Sequence, residues 1–197
     1  MTVETDHDVV TAQLAASAAM LERLQDPEHV ASVVAAAAVI TASMRAGGKL
    51  VLFGNGGSAA DAQHIAAEFL GRFLLERAPF PAIALSDNGS AVTAIANDYA
   101  FADVFARQIA ALGAPGDVAL AISTSGNSPN VLDGVAAARA RGMRTIGLTG
   151  GVGGSLAAAV ELCITVPADD TPRIQEAHTV VAHVLCEIVE RELALGG

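Results

Sequence analysis

Five short apolar runs punctuate the chain from residue 49 onward, and they limit its fold more than any other feature. They are residues 49–53 (KLVLF), 82–85 (AIAL), 118–122 (VALAI), 145–148 (TIGL) and 162–166 (LCITV). A strand with one wet face alternates apolar and polar residues, whereas a strand covered on both faces is apolar throughout. Between the runs lie helical patterns near residues 58–73, 90–95, 101–112, 129–141 and 156–159, and a last helix is predicted from about Pro172 to Leu193. Unbroken strands separated by helices predict a doubly wound α/β domain around a five-stranded parallel sheet. Two helices are predicted ahead of it: residues 9–24, then a second opened by Pro27 behind an Asp26 N-cap, running to about Arg45 and stopped by Gly47 and Gly48. Residues 1–46 therefore read as an N-terminal helical extension and 47–197 as one α/β unit. A chain of 197 residues suits a single core of that size.

Composition narrows the function classes. Apolar residues make up 52% and charged residues only 16%, so the thin charged surface predicts extensive burial in an oligomer. A net charge of −10 argues against a nucleic-acid or anionic-membrane binder. Residues 30–46 are apolar but interrupted by Ser32, Thr41, Ser43 and Arg45, and read as a packed helix rather than a membrane span. Cys163 and Cys186 both sit in apolar runs, as buried reduced thiols of a cytoplasmic protein do. The acidic start, Met1 to Asp6, lacks the basic and apolar regions of a signal peptide.

In an open α/β sheet, ligands bind beyond the carboxyl ends of the strands. Two such loops stand out. Residues 54–61 (GNGGSAAD) follow the first strand and open a helix, and their glycines allow close backbone approach. The spacing is neither a dinucleotide fingerprint nor a P-loop. Residues 123–129 (STSGNSP) follow the third strand. Ser123, Thr124, Ser125 and Ser128 supply more hydroxyls than an N-cap at Ser128 and Pro129 requires. This loop is the better phosphate cradle, because an acidic chain must hold a phosphate with hydroxyls and backbone N–H groups.

Further candidates surround these loops. His64 and Glu68 lie one turn apart on one face of the helix that the first loop opens. The stretch TPRIQEAH (171–178) starts the last helix behind a Thr171–Pro172 cap, and His183 follows. Gln175 and His183 are eight residues apart, about 12 Å of helical rise, so both reach one small ligand only by converging or from different subunits. His178 reads as a hydrogen-bonded interface or helix-face histidine. Asn97 and Asp98 read either as the N-cap of a following helix or as a polar pair for sugar hydroxyls.

Taken in order, GNGGSAADAQHIAAE (54–68), AIANDYAF (94–101), AISTSGNSPNVL (121–132) and RIQEAH followed by His183 resemble the sugar isomerase (SIS) domain, and within it the phosphoheptose isomerases. The resemblance spans nearly the whole chain. It implies a flavodoxin-like SIS fold and a homotetramer with active sites at subunit interfaces. It implies a small-molecule sugar phosphate as substrate, with Ser123, Thr124, Ser125 and Ser128 on the phosphate. Asn55, Gly56, Gly57, Ser58, Asn97 and Asp98 would line the sugar site. It further implies one zinc ion per subunit, on His64, Glu68, Gln175 and His183, with Glu68 and His183 as the acid/base pair. Aldose–ketose isomerisation through an enediol needs such a base and acid. A zinc-bound carboxylate is a weaker base, so either Glu68 works through its second oxygen or the metal is structural. Two other readings remain: a regulatory SIS protein that binds a replication initiator, and an isomerase of another phosphorylated ketose.

Overall fold

The computed structural model describes residues 5–195, and the acidic start at Met1 to Glu4 lies outside them. Two helices come first, α1 (Asp6–Arg23) and α2 (Pro27–Arg45). Thr5 and Asp8 cap α1 reciprocally. Strands and helices then alternate: β1 (Leu50–Gly54), α3 (Gly57–Leu70), β2 (Ala82–Ala84), α4 (Gly89–Asp98), α5 (Val104–Leu112), β3 (Val118–Ser123), α6 (Pro129–Ala140), β4 (Arg144–Gly150), α7 (Gly154–Ala159), β5 (Leu162–Val166) and α8 (Thr171–Ala194). Every strand pair is parallel, and the order across the sheet is β2-β1-β3-β4-β5.

The pleat sends alternate strand residues to opposite faces, and each face has its own core. Leu50, Leu52, Leu120, Ile122, Ile146 and Leu148 meet α2, α3 and α8 on one side. Val51, Phe53, Ala119 and Ala121 meet α5 and α6 on the other. This two-sided burial explains the unbroken apolar runs. α2 is long and apolar enough by length and composition to cross a membrane, yet Val33, Ala36, Ala37 and Ile40 pack into the first core. α1 buries only Met20.

Asp26 and Ser128 stand at the N-cap positions expected of them, each followed by a proline, but neither caps through its side chain. The Asp26 backbone carbonyl accepts from the N–H groups of His29 and Val30. Thr171 is inside α8, and Asp170 occupies the N-cap position without a side-chain bond. Asn97 and Asp98 end α4 rather than start a helix, and the following stretch opens with a single 3-10 turn at Phe101–Asp103. Cys163 is half-buried and Cys186 buried, both as free thiols.

Candidate active site

The strand order reverses between β1 and β3, which places the loops after these strands side by side at the switch point of the sheet. In the first loop Gly56 takes φ +54°, a backbone region that side chains disfavour, and so turns the chain into α3. Asn55 and Asn130 exchange two amide hydrogen bonds, each 2.8 Å, across the gap between the loops. Asn130 is 2% exposed at the second position of α6, so the tie is anchored on a buried amide, while Asn55 is half-buried. The sequence reading missed Asn130. Its only signal was an amide two residues behind the Ser128 helix start.

The second loop folds tightly. Ser123 is buried, and its Oγ lies 3.2 Å from Ser128 Oγ. That contact occupies the hydroxyl that was expected to cap α6. Ser125 Oγ accepts from the Asn127 N–H at 3.2 Å, and Asn127 Oδ1 accepts from Ser155 N–H and Oγ–H at 2.9 Å each. Gly126 sits at φ +64° with its Cα facing the Gly153 carbonyl, so only glycine fits there. A small cavity of about 180 Å³ opens against this loop, lined by Thr124, Ser125, Asn127 and the glycines after β4.

α3 and α8 run side by side in the same direction, and their contacts form rungs. A methyl on Gly57 would overlap the Gln175 amide, so Gln175 lies directly on the first turn of α3. One turn on, Thr179 Oγ1 lies 3.4 Å from Asp61 Oδ1. Burial raises the Asp61 carboxyl above its ordinary value, and its Oδ2 has no partner among the described residues. At the next rung His64 Nε2 and His183 Nε2 are 2.8 Å apart, and Glu68 Oε1 is 3.7 Å from His64 Nε2. One ligand atom from each of His64, Glu68 and His183 lies within 4.8 Å of the others. All of these side chains come from one chain. Gln175 and His183 therefore do not need two subunits to face the same helix, but they meet it at separate points.

Two imidazole nitrogens and a carboxylate oxygen within 4.8 Å of one another suit a divalent transition metal such as zinc. The ring nitrogens would open to about 3.3 Å for tetrahedral zinc–nitrogen bonds, a small side-chain adjustment. The donor set fits a metal.

The SIS domain description matches residues 14–150. A phosphoheptose isomerase from Rhodospirillum rubrum is 56% identical over 82% of this chain and 86% of its own length. One from Geobacter sulfurreducens is 52% identical over 94% of this chain and 98% of its own. The solved phosphoheptose isomerase of Neisseria gonorrhoeae superposes with a TM-score of 0.89 at 42% identity, covering 94% of this chain and 99% of that one. The chain belongs to the phosphoheptose isomerases of the SIS domain family. Membership makes it an isomerase, and the parallel sheet with its flanking helices is the SIS fold.

Within this family member, the expected site residues divide into groups. His64, Glu68 and His183 form one cluster, and Asn55, Gly56, Gly57, Ser58 and Gln175 sit at the start of α3. Ser123, Thr124, Ser125 and Ser128 share the second loop. Asn97 and Asp98 stand apart as exposed residues whose recorded side-chain hydrogen bond, 2.8 Å, is to each other. His178 corrects the reading of a satisfied helix-face histidine: it is fully buried, and neither ring nitrogen has a partner among the described residues.

Proposed function

We propose that the chain interconverts sedoheptulose 7-phosphate and D-glycero-D-manno-heptose 7-phosphate. The observation that carries this reading is the convergence of His64, Glu68 and His183 beside the switch-point loops. The phosphate rests on Ser123, Thr124, Ser125 and Ser128, where loop hydroxyls and N–H groups replace the basic field that a chain of net charge −10 lacks. Asn55, Gly56, Gly57, Ser58, Asn97 and Asp98 line the sugar.

Glu68 removes a proton from C1 of the ketose while His183 donates one to O2, giving the enediol. Glu68 then returns its proton to C2, and His183 takes the O1 proton as the aldehyde forms. The same two groups thus move every proton, and the reaction balances without a co-reactant. His64, Glu68 and His183 would hold one zinc ion per subunit, and Gln175, the fourth ligand that the resemblance implies, would join them only by leaving its place against Gly57. Such an ion, when bound, supplies Lewis-acid polarisation of the oxygens at C1 and C2.

We also propose a cytoplasmic homotetramer. The supporting feature is an apolar groove of about 450 Å³ between α1, α2 and α8, with Val30, Val34, Val180 and Val184 exposed along it.

The test is incubation of the purified protein with sedoheptulose 7-phosphate, with and without a chelator, beside Glu68→Gln. Aldose product that drops about 100-fold or more in Glu68→Gln is the expected result. No aldose under any metal condition overturns the enzyme reading, and unchanged turnover in Glu68→Gln overturns Glu68 as the base.

A further inference from the structure

His183 has a second aromatic neighbour besides His64. The Phe73 ring stacks on the His183 imidazole, with centroids 5.6 Å apart and planes 27° from parallel. Phe73 belongs to the segment between α3 and β2, which has no helix or strand to fix it. What fixes it is a buried carboxylate. Glu190, 2% exposed, accepts from the backbone N–H of Phe73 at 2.9 Å, Leu74 at 2.7 Å and Leu75 at 2.9 Å. Arg77 completes the knot. Its Nε donates to Glu190 at 2.9 Å, and its two terminal nitrogens donate to the carbonyls of Glu68, Phe69, Gly71 and Ala78. The guanidinium also lies 3.9 Å over the Phe80 ring.

This arrangement is costly for a mere loop anchor. Two charges are nearly dry, with side chains 5% and 2% exposed. Such a pair contributes little net stability relative to an apolar replacement, because desolvation offsets most of the attraction. What it provides is geometry, because three N–H donors and a guanidinium leave the carboxylate a single placement. Burial alone would raise the Glu190 carboxyl, yet hydrogen bonds from Leu74, Phe73, Leu75 and Arg77 hold it below the usual range. Glu190 is seven residues after His183, so the two share a face of α8 about two turns apart. One end of the knot thus rests on the helix that carries His183. The other end rests on the carbonyl of Glu68.

We propose that Phe73 is a positioning residue for His183, fixing the imidazole plane toward His64 and Glu68, and that the Glu190–Arg77 knot holds Phe73 in place. Groups that orient a metal-binding or catalytic histidine typically change affinity or activity about 10- to 100-fold when removed. The inference rests on the metal and acid/base roles proposed above only for its consequences, since the stacking itself is a property of the chain.

Phe73→Leu keeps an apolar side chain without a ring plane, Phe73→Tyr restores the ring, and Glu190→Gln removes the carboxylate that the three N–H groups share. Three readouts are taken on each folded variant. In metal-free protein, carbon–proton NMR of the imidazole identifies the His183 ring by its loss in His183→Gln. Its protons should be shifted by the Phe73 ring current, and the shift should vanish in Phe73→Leu and persist in Phe73→Tyr. Zinc affinity, by competition with a chromogenic chelator, should weaken about 10-fold in Phe73→Leu and Glu190→Gln and recover in Phe73→Tyr. At saturating zinc, kcat should fall about 10-fold in Phe73→Leu with KM within twofold, because the substrate contacts are untouched. Unchanged zinc affinity and kcat in a folded Phe73→Leu overturn the proposal, as does a His183 ring whose shifts ignore Phe73. If the unsubstituted protein neither binds zinc nor isomerises the sugar, the function reading fails instead, and the ring shifts decide the positioning role by themselves.

Discussion

His178 should make this protein acid-sensitive in a way that one substitution can isolate. The residue is fully buried on α8, and neither ring nitrogen has a partner at good hydrogen-bond geometry among the described residues, although the Thr149 backbone lies close by. Burial drives its pKa down from 6.5 to about 4, with the nearby backbone of Thr149 offsetting only part of the effect. The folded state therefore resists protonation, while the unfolded chain accepts a proton near pH 6.5. Stability from this residue is complete above the unfolded pKa and is lost as pH falls toward the folded one. The full difference between 6.5 and about 4 is worth about 3.4 kcal/mol. On the two-state linkage relation, about 2 kcal/mol of it is gone by pH 5 and about 3 kcal/mol by pH 4. The assay is urea unfolding from pH 7.5 to 4.5 at fixed protein concentration, with chelator present so that metal release does not contribute. His178→Leu, which fills similar space without a titrating group, should show a pH dependence flatter by about 2 kcal/mol at pH 5. The other carboxylates and histidines titrate in both proteins and cancel in the comparison. Parallel pH profiles for the two proteins would refute the reasoning.

Three further outcomes test the site geometry. Gly57→Ala should swing the Gln175 amide off the first turn of α3, because the added methyl overlaps it; with the sugar-site loop disturbed, KM for sedoheptulose 7-phosphate should rise about 10-fold while the thermal midpoint moves only a few degrees. Gly126→Ala combines φ +64° with a methyl driven into the Gly153 carbonyl, so urea unfolding should show a loss of about 2 kcal/mol or more. Asn130→Ala leaves the Asn55 amide without its two partners, and the loosened loops should raise KM for sedoheptulose 7-phosphate about 10-fold with a smaller effect on kcat; an unchanged KM would separate the amide tie from substrate binding.

Much of the fold was legible because its determinants are local. Pro27 and Arg45 bound α2 as read, and residues 162–166 are β5 as read. A proline at the first helical position and an unbroken apolar pentamer need no tertiary context to be recognised. The caps were harder. Asp26, Ser128 and Thr171 are residues that cap helices, but none forms the expected side-chain bond. For Ser128 the hydroxyl has another partner, Ser123, five residues back in the preceding strand. Asn97 and Asp98 were misplaced because a polar pair suits the end of one helix as well as the start of the next.

The site divides along the same line. By itself the sequence determined the five strands, the two loops and the helical spacing of His64 and Glu68, because glycine, serine and proline act on the backbone where they stand. Resemblance to a family, not spacing, linked these residues to His183. Only the tertiary structure decided how α8 lies along α3. It set Gln175 on Gly57 and brought His183 to His64 across 119 residues of chain. It also paired Asn55 with Asn130, sealed His178 from water, and closed the Glu190–Arg77 knot beneath Phe73. Each of these contacts joins side chains whose partners lie far away in the chain. Their energy depends on packing and desolvation, which no local pattern of residues records.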